Sequence, residues 1–434
     1  MEKVTAPYAA LRLGRYTIVR SLGAGGMAEL FLARVDGIAG FTKLCAVKRI
    51  LPHKSTNERF VRMLLNEARL VATLDHPNIA QVHDIGVENN EYFFAMEYVH
   101  GQDLRHVLHA APNHRLRLEN AIHVAVGLCA GLHHAHEARD PSGASLEIVH
   151  RDVSPSNVLV SYQGAVKLVD FGVAKAATVV SETREGIIKG KYGYMSPEQC
   201  LGAPLDRRSD IFAVGILLWE MTVGRRLYKL SGDLATLQRV VYVDAPRPSR
   251  FIPDYPPALE SIVMRMLSRD ADKRFQTAEE GQLALEAFAR NTRLQVSAVT
   301  MSTEMRRLFE DRVEAWVAAE QAGHTLADHL AAESPVAEIV SSDELSAVEI
   351  APVEQETKEA PRAASPAPAA SVPSPAPAIT AAAIAPSTST SRRFEVPHPL
   401  VAPRPQRSRV IPLVIVLLVL GAFTTLWLLL HANS

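Results

Sequence analysis

The chain has 434 residues, about three times a typical domain length of roughly 150 residues, so more than one structural unit is expected. Lys and Arg number 46 against 47 Asp and Glu, and this near-balance excludes a strongly basic nucleic-acid-binding chain and a long acidic solvating one. No nucleic-acid partner is therefore expected. Three cysteines, Cys45, Cys129 and Cys200, are too few for a disulfide framework and favour a reducing compartment.

The first elements along the chain are strands. Residues 1–15 form an N-terminal extension without the apolar core of a signal peptide. Strand-like runs follow at 15–22 and 44–51, and then an amphipathic helix at 58–74. Strands concentrate before residue 100 and helices after it. The order predicts an α+β protein with a small β-rich lobe followed by a larger α-helical lobe.

A glycine-rich turn lies between two strand-like runs, at Gly23-Ala24-Gly25-Gly26-Met27-Ala28. Glycines let backbone amides approach phosphate oxygens because no Cβ is in the way. Hairpin turns are often rich in glycine, and Ala28 occupies the last position of the G-x-G-x-x-G pattern, so this turn alone is weak evidence. Lys48 follows in an apolar strand, where a lysine is costly to bury unless it is paired, and Glu67 of the helix is its candidate partner.

Three further motifs appear in a fixed order. The stretch HRDVSPSN occupies residues 150–157, DFG occupies 170–172, and SPE occupies 196–198, where A-P-E is the more usual form. Together with the glycine turn and Lys48, they resemble the signature set of protein kinases, and most closely the eukaryotic-like serine/threonine kinases of bacteria. The resemblance covers residues 16–289 and implies the bilobal protein-kinase fold.

The resemblance implies a phosphotransferase that uses ATP and Mg²⁺, with Mn²⁺ as an alternative metal, on protein substrates. Lys48 would hold the α- and β-phosphate oxygens while pairing with Glu67. Asp152 would orient the acceptor hydroxyl and take its proton. Asn157 and Asp170 would coordinate the metal through hard oxygen atoms.

The nucleotide-binding residues implied by the resemblance come from the glycine turn, the Lys48 strand, the segment between the lobes and the metal-binding motifs. They are Leu22, Gly23, Ala24, Gly25, Gly26, Met27, Ala28, Glu29, Leu30, Ala46, Lys48, Met96, Glu97, Val99, Asp103, Asn157 and Asp170. Met96 would stand at the back of the adenine pocket, and Asp103 would reach the ribose. Asp210, Glu198 and Arg274 match structural supports of the fold: an aspartate bracing the catalytic loop and an ion pair anchoring the activation segment.

Two positions depart from the family pattern. Ser154 stands where serine/threonine kinases usually carry a lysine, and Lys191 stands where they usually carry a threonine. Either Lys191 supplies the missing cation, which would place it among the catalytic residues, or it faces solvent and Ser154 indicates weak catalysis. The second reading leads to an alternative function, an inactive or weak pseudokinase that serves as a nucleotide-binding scaffold. Pro155 favours serine or threonine over tyrosine as the acceptor, and the SPE motif favours protein over small-molecule substrates.

Regulation by phosphorylation is expected from the residue before the catalytic aspartate. Arg151 would capture a phosphorylated activation loop with its guanidinium group. Thr178, Ser181 and Thr183 are the candidate acceptors in that loop, and autophosphorylation is expected at Ser181 or Thr183.

The C-terminal third is organised in four parts. Residues 290–332 predict a helical extension, and 333–410 predict a disordered linker, because 12 of the chain's 27 prolines fall at 351–410 among Ala, Ser and Thr. Residues 411–430 are twenty residues without a charge, long enough for one transmembrane helix, and 431–434 would form an extracytoplasmic tail.

Orientation in the membrane follows from the arginines before the predicted span. Arg404, Arg407 and Arg409 predict a single-pass protein of the cell's inner membrane with its kinase domain in the cytoplasm. Gly421 and Thr425 are small residues four positions apart, a spacing compatible with helix association, so a homodimer is among the partners considered.

Overall fold

The β-rich part of the molecule comes first in the chain. In this computed structural model the described residues are 11–24, 28–37, 41–51, 58–89, 91–171, 192–230 and 232–332, without the side chains of 58–60, 63–64 and 66–67. All of them fall within one compact unit.

A six-stranded antiparallel sheet forms the first lobe. Its strands are β1 (Arg12–Leu13), β2 (Tyr16–Ala24), β3 (Ala28–Asp36), β4 (Thr42–Ile50), β5 (Val82–Glu88) and β6 (Glu91–Glu97), in the spatial order β1-β2-β3-β4-β6-β5. Helix α1 (Glu58–Ala72) packs against β5. Alternating side chains divide the sheet into two faces, so Val47 is fully buried while the neighbouring Lys48 borders the cleft between the lobes.

The second lobe is helical, with one small sheet at its upper edge. Strands β7 (Gly101–Asp103), β8 (Val158–Ser161) and β9 (Val166–Leu168) form that sheet. The helices are α2 (Leu104–Ala110), α3 (Leu118–His136), α4 (Pro197–Cys200), α5 (Arg208–Val223), α6 (Asp233–Tyr242), α7 (Pro257–Met266) and α8 (Ala278–Thr292). The expected order of strands and then helices is therefore present.

Helix α5 is the centre of the second lobe. Every residue from Ser209 to Val223 is buried, because its sequence is apolar on all sides and other helices cover it. The helix ends at Gly224, whose φ of 76° is left-handed and whose absent Cβ would lie 2.3 Å from the Asn113 carbonyl oxygen. Only glycine fits this turn, and the turn fixes where α5 ends.

The predicted C-terminal extension is helical. It consists of α9 (Ala298–Leu308), α10 (Glu310–Gln321) and α11 (Leu326–Ala332). The proposed boundary at residue 289 falls inside α8, which continues to Thr292. Among the helices in the described ranges, none is long and apolar enough to cross a membrane; the segments 333–410, 411–430 and 431–434 lie outside those ranges.

Candidate active site

The upper side of the cleft is built from the ends of β2, β3 and β4. Gly23 pairs with Leu30 and Ala24 with Glu29, so the predicted glycine turn lies between two paired strands. A Cβ added at Gly23 would meet no atom within 4 Å, so the packing of the described residues does not itself require glycine there. The space beside the backbone suits a phosphate group. Gly25, Gly26 and Met27 lie outside the described residues.

Lys48 meets the DFG aspartate across the cleft. Its Nζ lies 2.7 Å from Asp170 Oδ1, and it also lies 5.6 Å from the centre of the Phe94 ring. Lys48 and Asp170 are 122 positions apart in sequence. The fold therefore brings a cation and a carboxylate together where phosphate and metal are expected. Glu67 belongs to α1, but its side chain is outside the described residues, so the Lys48–Glu67 pair stays a prediction.

Glu29, one of the predicted nucleotide-binding residues, points away from the cleft face of the sheet. Glu29 pairs with Arg49 on the sheet, whereas Leu30 pairs with Lys48, and adjacent residues of a strand point to opposite faces. The Glu29 carboxylate accepts hydrogen bonds from Arg49 Nε and Nη2, the latter 2.6 Å long. Its side chain is therefore held on the face opposite Lys48.

The segment between the lobes follows β6. Met96 is buried and lines a cavity together with Phe94, Leu168 and Asp170, and its place at the back of an adenine pocket stays a prediction. Ala46 is paired with Met96 on the same face of the sheet. The Glu97 N–H donates to the Gln81 carbonyl, and its carboxylate lies 2.8 Å from Lys167 Nζ. Val99 follows at the start of the second lobe.

Asp103 caps helix α2. Its carboxylate accepts the His106 backbone N–H and also lies 2.9 Å from Arg105 Nη2. Burial alone would raise the pKa of Asp103, but its interactions with His106 and Arg105 hold that pKa below the ordinary value. The ribose contact expected of Asp103 stays a prediction.

The catalytic loop lies on the lower side of the cleft. Asn157 Nδ2 donates to Asp152 Oδ2 at 2.7 Å and to the Asp152 carbonyl at 2.9 Å. The Asn157 carbonyl in turn accepts the Val169 N–H, which connects this loop to the segment after β9 that carries Asp170. Asp152, Asn157 and Asp170 are thus placed by a continuous set of hydrogen bonds.

Ser154 is part of the catalytic loop, and its side chain is buried. It is 2% exposed, and its hydroxyl is 3.1 Å from that of Ser156, which donates to Asn157 Oδ1 at 3.4 Å. The position of the usual lysine is therefore occupied by a buried hydroxyl. Lys191, offered as its replacement, lies outside the described residues, and so do Thr178, Ser181 and Thr183.

Asp210 of α5 holds the backbone of the loop. It accepts the N–H groups of His150 and Arg151, both at 2.8 Å, and contacts His136 Nε2 at the same distance. Burial alone would raise the pKa of Asp210, but its contacts with His136 and His150 bring that pKa below the ordinary value. The predicted bracing role is confirmed by this geometry, whereas His136 was not anticipated.

An ion pair between Arg274 and Glu198 holds the SPE motif in place. Arg274 donates to both oxygens of Glu198 at 2.7 and 2.9 Å, and Ser209 donates to the same carboxylate. Burial would raise the pKa of Glu198, but these hydrogen bonds lower it. Gln199, which the sequence reasoning missed, donates to the Arg151 carbonyl and completes a capping box with Ser196. The S-x-x-Q spacing was the available signal for that box.

Two active-site residues have left-handed backbone conformations. Arg151 has φ of 66° and Asp170 has φ of 58°, values that non-glycine residues adopt rarely. Such strain persists only where surrounding contacts over-determine it. His150 supplies one such contact: its ring packs 4.5 Å from that of Phe171, and burial lowers its pKa.

The donor set fits a nucleotide with its metal. Asp170 and Asn157 offer carboxylate and amide oxygens, which suit Mg²⁺, and Lys48 offers a cation for phosphate oxygens. The described residues contain no separate cluster of three or more metal-binding side chains.

Known proteins are similar to this chain over the part that contains the cleft. The profile of the protein kinase domain family matches residues 16–283. The tyrosine-protein kinase MasK of Myxococcus xanthus is 43% identical over 277 residues, covering 63% of this chain and 43% of its own. The serine/threonine-protein kinase PrkC of Bacillus subtilis is 33% identical over 267 residues, covering 62% of this chain and 39% of its own. This chain therefore spans about two fifths of the length of these relatives.

Solved structures give a similar result. A double mutant of the PknI kinase domain from Mycobacterium tuberculosis superposes with a TM-score of 0.51 at 26% identity. The superposition covers 66% of this chain and 100% of that one.

Proposed function

Because the chain belongs to the protein kinase family, we propose that it transfers the γ-phosphoryl group of ATP, with Mg²⁺, to hydroxyl groups of protein substrates. The observation that carries the proposal is the convergence of Lys48 and Asp170, 2.7 Å apart, with the Asp152–Asn157 pair. Phosphoryl transfer depends on positioning and on neutralising charge, and these four side chains supply both.

Each residue has a definite part in this proposal. Asp152 accepts the proton of the substrate hydroxyl on its carboxylate, and Asn157 Nδ2 holds that carboxylate in place. Lys48 binds phosphate oxygens and is itself oriented by Asp170. Asn157 and Asp170 are the residues that would hold Mg²⁺, which supplies charge neutralisation at the transferred group when bound.

Phosphorylation assays with labelled ATP test this function on the full chain. Lys48→Met and Asp170→Ala should abolish transfer, and Asp152→Ala should lower kcat by about 10²- to 10⁴-fold. Lys43→Met is the matched control, because Lys43 is exposed on the same strand. A wild-type signal no higher than that of Lys48→Met would favour the alternative, a pseudokinase scaffold.

Serine or threonine is the proposed acceptor. Several relatives are named serine/threonine kinases, and Pro155 belongs to the catalytic-loop pattern of that class. Tyrosine is a second candidate, favoured by the name of the 43% identical MasK and by the lysine missing at Ser154. Phosphoamino-acid analysis of autophosphorylated protein decides between them.

Autophosphorylation is proposed to activate the enzyme. Within the described residues, Arg151 Nε is buried without a hydrogen-bond partner, and a phosphate on Thr178, Ser181 or Thr183 would satisfy it. Phosphopeptide mapping of active protein should find Ser181 or Thr183 modified. An active enzyme without phosphate at any of the three positions would contradict this.

Membrane attachment through residues 411–430 is a further part of the proposal. It rests on the uncharged length of that segment and on the arginines before it, which favour a kinase domain on the cytoplasmic face. Deleting 411–430 should move the protein from the membrane fraction to the soluble fraction. Cross-linking within the membrane tests whether Gly421 and Thr425 support a homodimer.

A further inference from the structure

The C-terminal helices touch both lobes of the molecule. Helix α9 begins against the second lobe, where a Cβ at Gly164 would lie 1.9 Å from the Ala298 carbonyl oxygen. Ser302 Oγ donates to the Tyr162 carbonyl at 2.8 Å. Met301 and Met305 are fully buried in the main core. This end of the extension is therefore a fixed part of the second lobe.

A row of aromatic rings continues from that attachment past the segment between the lobes. Phe309 lies 6.2 Å from Tyr162, and Tyr162 lies 4.9 Å edge-on to His100. Trp316 of α10 then meets His100 at 6.1 Å, also edge-on, and His329 of α11 at 5.5 Å. His100 follows Val99 directly, so the row reaches the end of the segment proposed to bind adenine.

Helix α11 completes the connection to the first lobe. It packs against β2, the strand that leads into the glycine turn, and its Ala327 and Leu330 are buried. The pKa of Asp328 is lowered first by hydrogen bonds from Thr325 and to a smaller degree by the positive charge of Arg34 on β3. The extension therefore runs from the core of one lobe to the sheet of the other.

We propose that Trp316 is a positioning residue for nucleotide binding, acting through His100 on the segment between the lobes and through α11 on β2. The inference rests on the proposed kinase function. Because both ends of the extension are attached, it would hold the upper side of the cleft at a fixed distance from the catalytic loop. Removing the indole releases two of the ring contacts in the row. We expect the nucleotide to bind more weakly while the catalytic loop keeps its geometry, because the two ring contacts of Trp316 are with His100 and His329.

The test compares full-length wild type, Trp316→Ala, Trp316→Phe and the control Val317→Ala. Val317 is the next residue on α10 and is 41% exposed. Trp316→Ala should raise KM for ATP by about 3- to 10-fold, the effect of losing one or two ring contacts, with kcat changed less than 2-fold. Trp316→Phe should recover most of the affinity. Val317→Ala should match wild type.

A second variant and a second readout separate positioning from simple stabilisation. Leu330→Ala weakens the contact of α11 with β2 and should raise KM in the same direction without altering the indole. Amide hydrogen exchange should rise in β2 and at residues 98–100 of Trp316→Ala, but not in α5. Unchanged KM in both variants, or exchange that rises equally in α5, would overturn the proposal.

The role of Trp316 can be tested even if the protein has no kinase activity. Binding of a non-hydrolysable ATP analogue with Mg²⁺ and hydrogen exchange need no turnover. An inactive wild type whose exchange pattern still responds to Trp316→Ala would remove the kinase proposal and keep the positioning role. An active wild type without that response would do the reverse.

Discussion

The two sides of the cleft place their functional groups by different means. On the lower side, the backbone next to Asp152 is held by Asp210, and the SPE motif is held by an Arg274 side chain that is 0% exposed. Lys48 of the upper side meets Asp170 across the cleft, and these two side chains are 23% and 41% exposed. Buried polar contacts are costly to break, whereas exposed pairs rearrange cheaply. The loop that carries Asp152, the proposed catalytic base, is thus rigidly held, whereas the more exposed contact between Lys48 and Asp170 can rearrange at a lower cost.

The difference between the two sides of the cleft is tested most directly by removing the fully buried charge of Arg274. Arg274→Ala leaves Glu198 uncompensated and three backbone carbonyls without their donor. We expect the free energy of unfolding to fall by about 3–5 kcal/mol. Urea titration measures it. The exposed pair of Arg207 and Glu137 is the control, and Arg207→Ala should cost at most about 1 kcal/mol.

Changing Asp210 to asparagine keeps the shape of the brace and removes its charge. The amide has one accepting oxygen, so at least one of the His150 and Arg151 N–H groups would face an NH₂ group. We expect a loss of about 1–3 kcal/mol in unfolding free energy, together with a fall in kcat. Equal stability of the variant and wild type in urea would show that the loop does not depend on this carboxylate.

Lowering the pH should reduce the free energy of unfolding through His150, which lies on the lower side of the cleft. Burial lowers its folded-state pKa, so below about pH 6.5 the unfolded chain binds a proton that the folded chain does not. Stability from the neutral ring is thus present above pH 6.5 and lost as the pH falls toward the lowered pKa. The stability advantage of wild type over His150→Asn should shrink between pH 7.5 and 5.5, by up to about 1.4 kcal/mol per pH unit. Parallel curves for the two proteins would contradict this.

The sequence predicted the local parts of this site better than the contacts between them. Motif spacing identified Asp152, Asn157 and Asp170, and the resemblance to protein kinases implied that Asp210 braces the catalytic loop. Spacing alone did not select Asp170 as a partner for Lys48, because any carboxylate on the facing elements would satisfy the same pattern. The contacts of His136 and of Trp316 depend on which elements pack against each other. The periodicity of apolar residues along one helix does not predict which elements will pack against it.

The smallest effect on stability is expected at the residue with one of the largest effects on activity. Lys48→Met removes a partly exposed ion pair and keeps the aliphatic length of the side chain against Phe94, so unfolding free energy should change by less than about 1 kcal/mol. Lys43→Met gives the baseline for the same substitution on the same strand. A loss at Lys48 approaching that of Arg274→Ala would mean that the upper side is also held by buried charge. Both sides of the cleft would then be held by buried charge, and the difference in rigidity between them would disappear.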